Sequence, residues 1–304
     1  MGRACGPEDG VFALAGGQGD RGMAIRMASE SLGSASERGL RLRLDYERAQ
    51  DALLRAGVEH TIVIFGSTRI PEPLAARAAL DSLRLTQPLD PEADPAAYAA
   101  HQRRIAVAQR VLAKSRYYEV ARELGRMIGA WSQGPAQSPL FVMTGAGPGI
   151  MEAANRGAAE VGAQSVGLNI SLPHEQRPND YVSPQLCLRF HYFALRKLHF
   201  MLRARALVAF PGGYGTLDEL FGALTLIQTR AIDPIPVILV GQQFWQRVFD
   251  ANYLAEEGVI DPADRELFSF AEDAGQICSV ILQWYRDRGL PLLADAVVPA
   301  DPPP

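Results

Sequence analysis

Ala206-Leu-Val-Ala-Phe-Pro-Gly-Gly-Tyr-Gly-Thr-Leu-Asp-Glu219 places an apolar run, a glycine turn and a helix opening in immediate succession. A short, continuous apolar run bounded by a turn is the pattern of a strand buried on both faces. The same pattern recurs at Thr61-Ile-Val-Ile-Phe65, Leu140-Phe-Val-Met143, Ser165-Val-Gly-Leu168 and Pro236-Val-Ile-Leu-Val240. Helical spacing separates these runs at Tyr117 to Trp131, Ile150 to Val161, Phe193 to Arg205 and Leu217 to Thr229. Leu186 to His191 adds a further short strand. Strand alternating with helix predicts an α/β fold, a doubly wound Rossmann-like parallel sheet with helices on both faces.

The remaining chain is read around that frame. Residues 1–40, Gly- and Ser-rich with little periodicity, read as a flexible leader. An amphipathic helix is expected from Leu44 to Ala56, closed by Gly57. Residues 41–290 form a single domain, and the Ala-rich segment 71–115 is expected to be a helical insertion on one edge. Residues 291–304 end in three prolines and read as a tail. Thirty basic against 34 acidic residues give a net charge of −4, which disfavours nucleic-acid binding by bulk charge. Cys5, Cys187 and Cys278 fit neither a disulfide framework nor a zinc cluster. No apolar run approaches the roughly 18 residues that span a bilayer, and Met1 to Gly10 lacks a secretory pattern. Together these features predict a cytoplasmic protein.

Three glycine turns follow strands and therefore gather at one edge of a parallel sheet, where ligands bind. Gly212, Gly213 and Gly215 let backbone amides approach an anion at the start of a helix. Thr216-x-x-Glu219 also fits a capping box, in which both side chains merely satisfy helix amides. The second turn carries Gly145, Gly147 and Gly149, spaced G-x-G-x-G, followed by Glu152. That spacing departs from the dinucleotide fingerprint, and Asn169 stands where its acidic residue belongs, which disfavours a nicotinamide enzyme. Gly66 and Ser67 form the third turn. Three polar turns at one edge read as a nucleotide cleft.

Pro211 to Glu219 matches P-G-G-x-G-T-x-x-E, and Arg196-Lys197 stands fifteen residues before it. In both respects the chain resembles the Lonely Guy family of nucleoside 5′-monophosphate phosphoribohydrolases, in its longer bacterial form. The likeness runs through Gly145 to Ala158, Leu172 to Pro178 and Gly222 to Thr229, covering roughly Thr61 to Gly241. The resemblance implies that Arg196 and Glu219 are the catalytic pair. It also implies that Gly212, Gly213, Gly215 and Thr216 hold the phosphate and ribose, with Gly66, Ser67, Gly145, Gly147, Gly149, Glu152 and Lys197 completing the substrate site. AMP and a cytokinin ribotide are both candidate substrates, and a homodimer or larger homo-oligomer is implied.

Cleaving the bond between purine and ribose builds positive charge on the sugar, which a carboxylate such as Glu219 stabilises. A guanidinium such as Arg196 can fork onto phosphate oxygens. Glu152 and Asp218 are candidates for protonating the leaving base, while His191 and His199 match no metal spacing and read as core or surface residues. Relatives of the family have been labelled lysine decarboxylases. Only Lys114 and Lys197 could form a Schiff base, and neither occupies a recognisable cofactor site. No cofactor, metal or membrane is therefore expected, and the partner is a small-molecule nucleotide. The alternative is a non-catalytic carrier or sensor of a nucleotide-like ligand, similar to molybdenum-cofactor carriers.

Overall fold

The computed structural model describes residues 35–85, 92–132, 139–171 and 177–292. The expected leader, the proline-rich tail and part of the Leu172 to Pro178 stretch largely lie outside the described residues. Seven parallel strands form one sheet: β1 (His60–Phe65), β2 (Leu140–Thr144), β3 (Ser165–Ile170), β4 (Cys187–Phe190), β5 (Ala204–Ala209), β6 (Val237–Val240) and β7 (Ser269–Ala271). Their order is β4-β3-β2-β1-β5-β6-β7. The chain thus builds outward from β1 to β4, returns to lay β5 on the other side of β1, and continues outward. Its winding reverses between β1 and β5.

Alternation along the strands divides the core between two helical layers. Ile62 and Ile64 of β1 face α4 (Arg116–Ser132), α5 (Ile150–Glu160) and α10 (Ala274–Asp287). Val63 and Phe65 face α1 (Ala35–Arg55), α6 (Phe193–Leu202), α7 (Tyr214–Gln228) and Trp245 of α8 (Gln242–Val248). Both faces of β1, β2 and β6 are therefore buried, which explains their unbroken apolar sequences. Inside segment 71–115, α2 (Pro73–Leu85) and α3 (Pro95–Lys114) pack on each other, and α3 also packs on α4.

Several boundaries differ from the sequence expectation. Helix α1 begins at Ala35 rather than Leu44, and i,i+4 pairs such as Glu37–Arg41 and Arg43–Glu47 support its early turns. Helix α6 stops at Leu202, and Arg203 turns back to donate from Nε to the Val58 carbonyl at 2.8 Å. Strand β5 therefore starts at Ala204. Helix α9 (Ala251–Glu256), like α8, β7 and α10, follows the last expected strand and has no counterpart in the sequence reading.

Candidate nucleotide site at the β1–β5 switch

In an open parallel sheet the crevice lies beyond the carboxyl ends of the strands, where the winding reverses. Here that point lies between β1 and β5, and the turns after both strands meet there. Ser67 donates its amide to the Pro211 carbonyl at 3.0 Å, while Phe210 donates to Phe65 at 2.8 Å. The third turn is stitched on by the Ile150 amide, which donates to the Ser67 carbonyl at 3.2 Å.

The turn after β5 opens a helix whose first amides are unengaged among the described residues. Helix α7 starts at Tyr214 with Gly213 as its N-cap, and no side chain caps it. Thr216 and Leu217 donate to the Gly213 carbonyl, both at 3.0 Å. The amides of Gly212, Gly213, Tyr214 and Gly215 bond to nothing among the described residues. A helix start with open amides and no capping side chain is an electropositive cradle. This placement excludes the capping box: Thr216 is the third residue of the helix, and Glu219 lies a turn further in. Thr216 instead packs against Gly212, where any Cβ would strike its side chain.

Glu219 and Arg196 converge beside this cradle. Glu219 is 8% exposed and, among the described residues, takes no hydrogen bond. Burial raises its pKa above the usual carboxylate value, opposed by the positive charges of Arg196 and Lys197. Burial likewise lowers the pKa of Arg196, opposed by Glu219. Each charge therefore senses the other, without a direct ion pair among the described residues. Arg196 is fixed by donation from Nε to the carbonyl of Leu168, within β3, at 2.8 Å, and by its seat over the Phe200 ring at 5.1 Å. Its Nη2 lies against Gly145, whose missing side chain makes the room. The two Nη groups bond to nothing further among the described residues, so the fork is free.

The other candidate residues divide. Gly145 joins the Arg196 pocket and Ser67 joins the junction of the turns. Gly66 and Gly149 serve packing: a Cβ on Gly66 would lie 2.5 Å from Ile150 Cγ2, and one on Gly149 would lie 2.5 Å from the Ser67 carbonyl oxygen. Gly147 is tied down through its carbonyl, which accepts from Asn179 Nδ2 at 3.0 Å. Glu152 accepts from the Tyr118 hydroxyl at 2.9 Å. Lys197 pairs with Asp218 at 2.8 Å. His199 is buried between Tyr46 and Phe190, while the exposed His191 bonds Asp45. Among the described residues no cluster of side chains could hold a metal, and no helix is long and apolar enough to cross a membrane.

A buried network absent from the sequence reading sets the Gly145–Gly149 turn. Asn155 accepts from Thr144 Oγ1 at 2.7 Å and from Asn179 Nδ2 at 3.1 Å, and donates to Ser165 Oγ at 3.0 Å. Thr144 Oγ1 in turn accepts from the Ala146 amide at 3.0 Å. The available signal was Asn155 itself, a polar residue in the apolar stripe of α5.

Residues 151–281 match a family described as possible lysine decarboxylase. The chain is 34% identical over 92 residues to a probable cytokinin riboside 5′-monophosphate phosphoribohydrolase of Oryza sativa subsp. japonica, covering 29% of this chain and 39% of that protein. It is 32% identical over 83 residues to a cytokinin riboside 5′-monophosphate phosphoribohydrolase of Arabidopsis thaliana, covering 27% and 39%. The chain thus spans about two fifths of the length of these relatives. Among solved structures, a molybdenum cofactor carrier protein from Chlamydomonas reinhardtii aligns over 75% of this chain and 99% of its own, at 16% identity and TM-score 0.41. A molybdenum cofactor binding protein from Rippkaea orientalis aligns over 55% and 87%, at 20% identity and TM-score 0.40. At these scores the structural likeness carries no functional weight. The decarboxylase description does not fit the lysines present: Lys197 is engaged by Asp218, and Lys114 ends α3.

Proposed function

We propose that this chain, which resembles the Lonely Guy family and is similar over about two fifths of their length to two of its cytokinin riboside 5′-monophosphate phosphoribohydrolases, hydrolyses the N-glycosidic bond of a purine nucleoside 5′-monophosphate. Water adds to C1′ of the ribose, the bond to the purine nitrogen breaks, and a proton passes to the leaving base. The products are free base and ribose 5-phosphate. The observation that carries this reading is Glu219, a buried carboxylate that takes no hydrogen bond among the described residues, near an Arg196 guanidinium whose two Nη groups are unengaged there, beside four amides likewise open.

The amides of Gly212 to Gly215 receive the phosphate, aided by the positive end of α7. Arg196 forks onto phosphate or ribose oxygens through its free Nη groups, a geometry that lysine could not reproduce. Glu219 faces the sugar and stabilises the positive charge that develops as the base departs. Burial raises its pKa, so it can also hold and release a proton. The substrate is AMP or its N6-prenylated counterpart. Exposed Phe193, Leu198 and Leu202 on α6, with Tyr214 and Phe221 on α7, support a homodimer that covers this face.

The test is to incubate the pure protein with AMP and with N6-prenyl-AMP and to assay free base by chromatography. Base release is expected; no release from any purine monophosphate overturns the proposal. With Glu219→Ala, hydrolysis should fall steeply while nucleotide binding, measured by calorimetry, persists. Unchanged hydrolysis in that variant would remove Glu219 from the mechanism.

A further inference from the structure

Arg196 and Glu219 sit on different helices, and no direct bond between them sets their separation. Their sequence neighbours are joined instead. Lys197 Nζ pairs with Asp218 Oδ1 at 2.8 Å and donates to the Asp218 carbonyl oxygen at 3.2 Å. One ammonium thus grips both the side chain and the backbone of the residue preceding Glu219. Gly222, one turn further along α7, leaves it room: a Cβ there would lie 3.2 Å from Nζ. The Lys197 side chain is 32% exposed and its partner 60% exposed, so the pair contributes little to stability. Its geometry is nevertheless specific, because it fixes α7 against α6 at the level of the two facing charges.

We propose that Lys197 and Asp218 are a positioning pair, a clamp between α6 and α7 that holds Arg196 and Glu219 at their working separation, rather than ligands of the substrate. This rests on the hydrolase reading, and it replaces the sequence expectation that Lys197 contacts the nucleotide. The clamp also supplies two opposed charges beside Glu219. Lys197 lowers the pKa of that carboxyl and Asp218 raises it, while Arg196 is the remaining charge that acts on it. Removing either member therefore leaves an electrostatic trace at Glu219 as well as a mechanical one.

The experiment compares Lys197→Met, Asp218→Asn, the double variant and Lys197→Arg, with AMP as substrate. Misplacing a catalytic group by about 1 Å can cost roughly 100-fold, so each single variant should lower kcat by roughly 10- to 100-fold with KM little changed. The double variant should be no worse than either single one, since both break the same contact. Lys197→Arg should retain most activity. In parallel, the Glu219 carboxyl is titrated in the free proteins by NMR of 13C-labelled glutamate. Its pKa should rise in Lys197→Met. It should fall in Asp218→Asn, where the backbone carbonyl still holds the ammonium. A raised KM in Lys197→Met with Asp218→Asn silent would make Lys197 a substrate ligand and overturn the clamp. Additive losses, or a Glu219 pKa that neither variant moves, would overturn it too. If wild type releases no base, the hydrolase reading fails, and the clamp is decided by calorimetric AMP binding in the same four proteins: equal, non-additive changes in the single and double variants support it, and additive changes overturn it.

Discussion

Two segments share one local design and use it for different ends. After β2, the chain runs through Gly145, Gly147 and Gly149 into α5; after β5, it runs through Gly212, Gly213 and Gly215 into α7. The first turn is tied into the protein on three sides, although its Gly147 and Gly149 amides bond to nothing among the described residues. Its helix-opening amide goes to Ser67, two of its carbonyls accept from Asn179, and Gly149 takes φ +72° against the Ser67 backbone. The second has four successive amides open and no side-chain hydrogen bond engaged among the described residues, needs no positive φ, and places a buried carboxylate behind them. Glycine after a strand therefore marks close approach without saying what approaches: protein backbone in one turn, a ligand's phosphate in the proposed use of the other.

The comparison breaks most sharply at Glu219. If it is the charge-stabilising group, Glu219→Gln should slow base release by about 100- to 1000-fold. Stability should move the opposite way. A carboxyl whose folded pKa is raised favours the folded state below that pKa, and the advantage is lost as pH rises through it. At pH 8 the glutamine variant should therefore melt no lower than wild type, and the gap should shrink as the pH is lowered. Melting curves at several pH values, beside the rate assay, check both halves. A variant that is both inactive and strongly destabilised would place Glu219 in the scaffold.

Gly149→Ala tests the other turn and should fail as a fold, not as a catalyst. A residue with a side chain at φ +72° carries strain on the order of 1–3 kcal/mol, and its Cβ would press on the Ser67 carbonyl. At roughly 2–4 °C per kcal/mol, melting should fall by about 2–12 °C. An unchanged melting temperature would show that the junction with Ser67 is not rigid.

How far this was legible in the sequence follows from the range of each interaction. β1, β2 and β6 could be read because burial on both faces demands unbroken apolar residues. That Arg196 and Glu219 lie close enough to act on each other's charge could be anticipated, because their spacing matches a family pattern. The commitments of Lys197 and Glu152 could not, because their partners lie 21 and 34 residues away and are brought near only by the fold. The start of α7 was hidden for a local reason. Thr216 and Glu219 imitate a capping box, while the true N-cap is a glycine with no side chain to announce it. Strand β7 has only three residues, Ser269 exposed and Ala271 buried, too few to show a period.

Helix α5 carries a smaller electrostatic test. Glu160, in its last turn, accepts from Arg122 Nε and Arg126 Nε of α4 at 2.9 and 2.8 Å, and from Arg156 Nε at 3.2 Å. The Arg122 guanidinium first, then Arg126, holds its pKa down at about 2 against the opposing effect of burial. A depressed carboxyl stabilises the fold above its ordinary pKa near 4.5, and that stability is lost as pH falls toward 2. Because the side chain is 28% exposed, the contribution is discounted to about 1 kcal/mol or less. Glu160→Gln should melt slightly lower than wild type at pH 7, and the difference should vanish near pH 2.

The smallest effect is the most discriminating. Gly215 lies in the first turn of α7 with no positive φ, and a Cβ there would meet nothing within 4 Å. By helix propensity alone, Gly215→Ala should stabilise the protein by about 0.5–1 kcal/mol. Nothing among the described residues gives a steric reason for glycine at this position, in direct contrast to Gly149. If the space beside it belongs to the nucleotide, the alanine variant should be the more stable protein and the weaker binder of AMP. Calorimetry and thermal melting on the same sample measure both. Tighter or equal binding would mean that the phosphate sits elsewhere in the turn, leaving Gly212 and Gly213 as its contacts. Lower stability would mean that α7 does not begin where its amides now point.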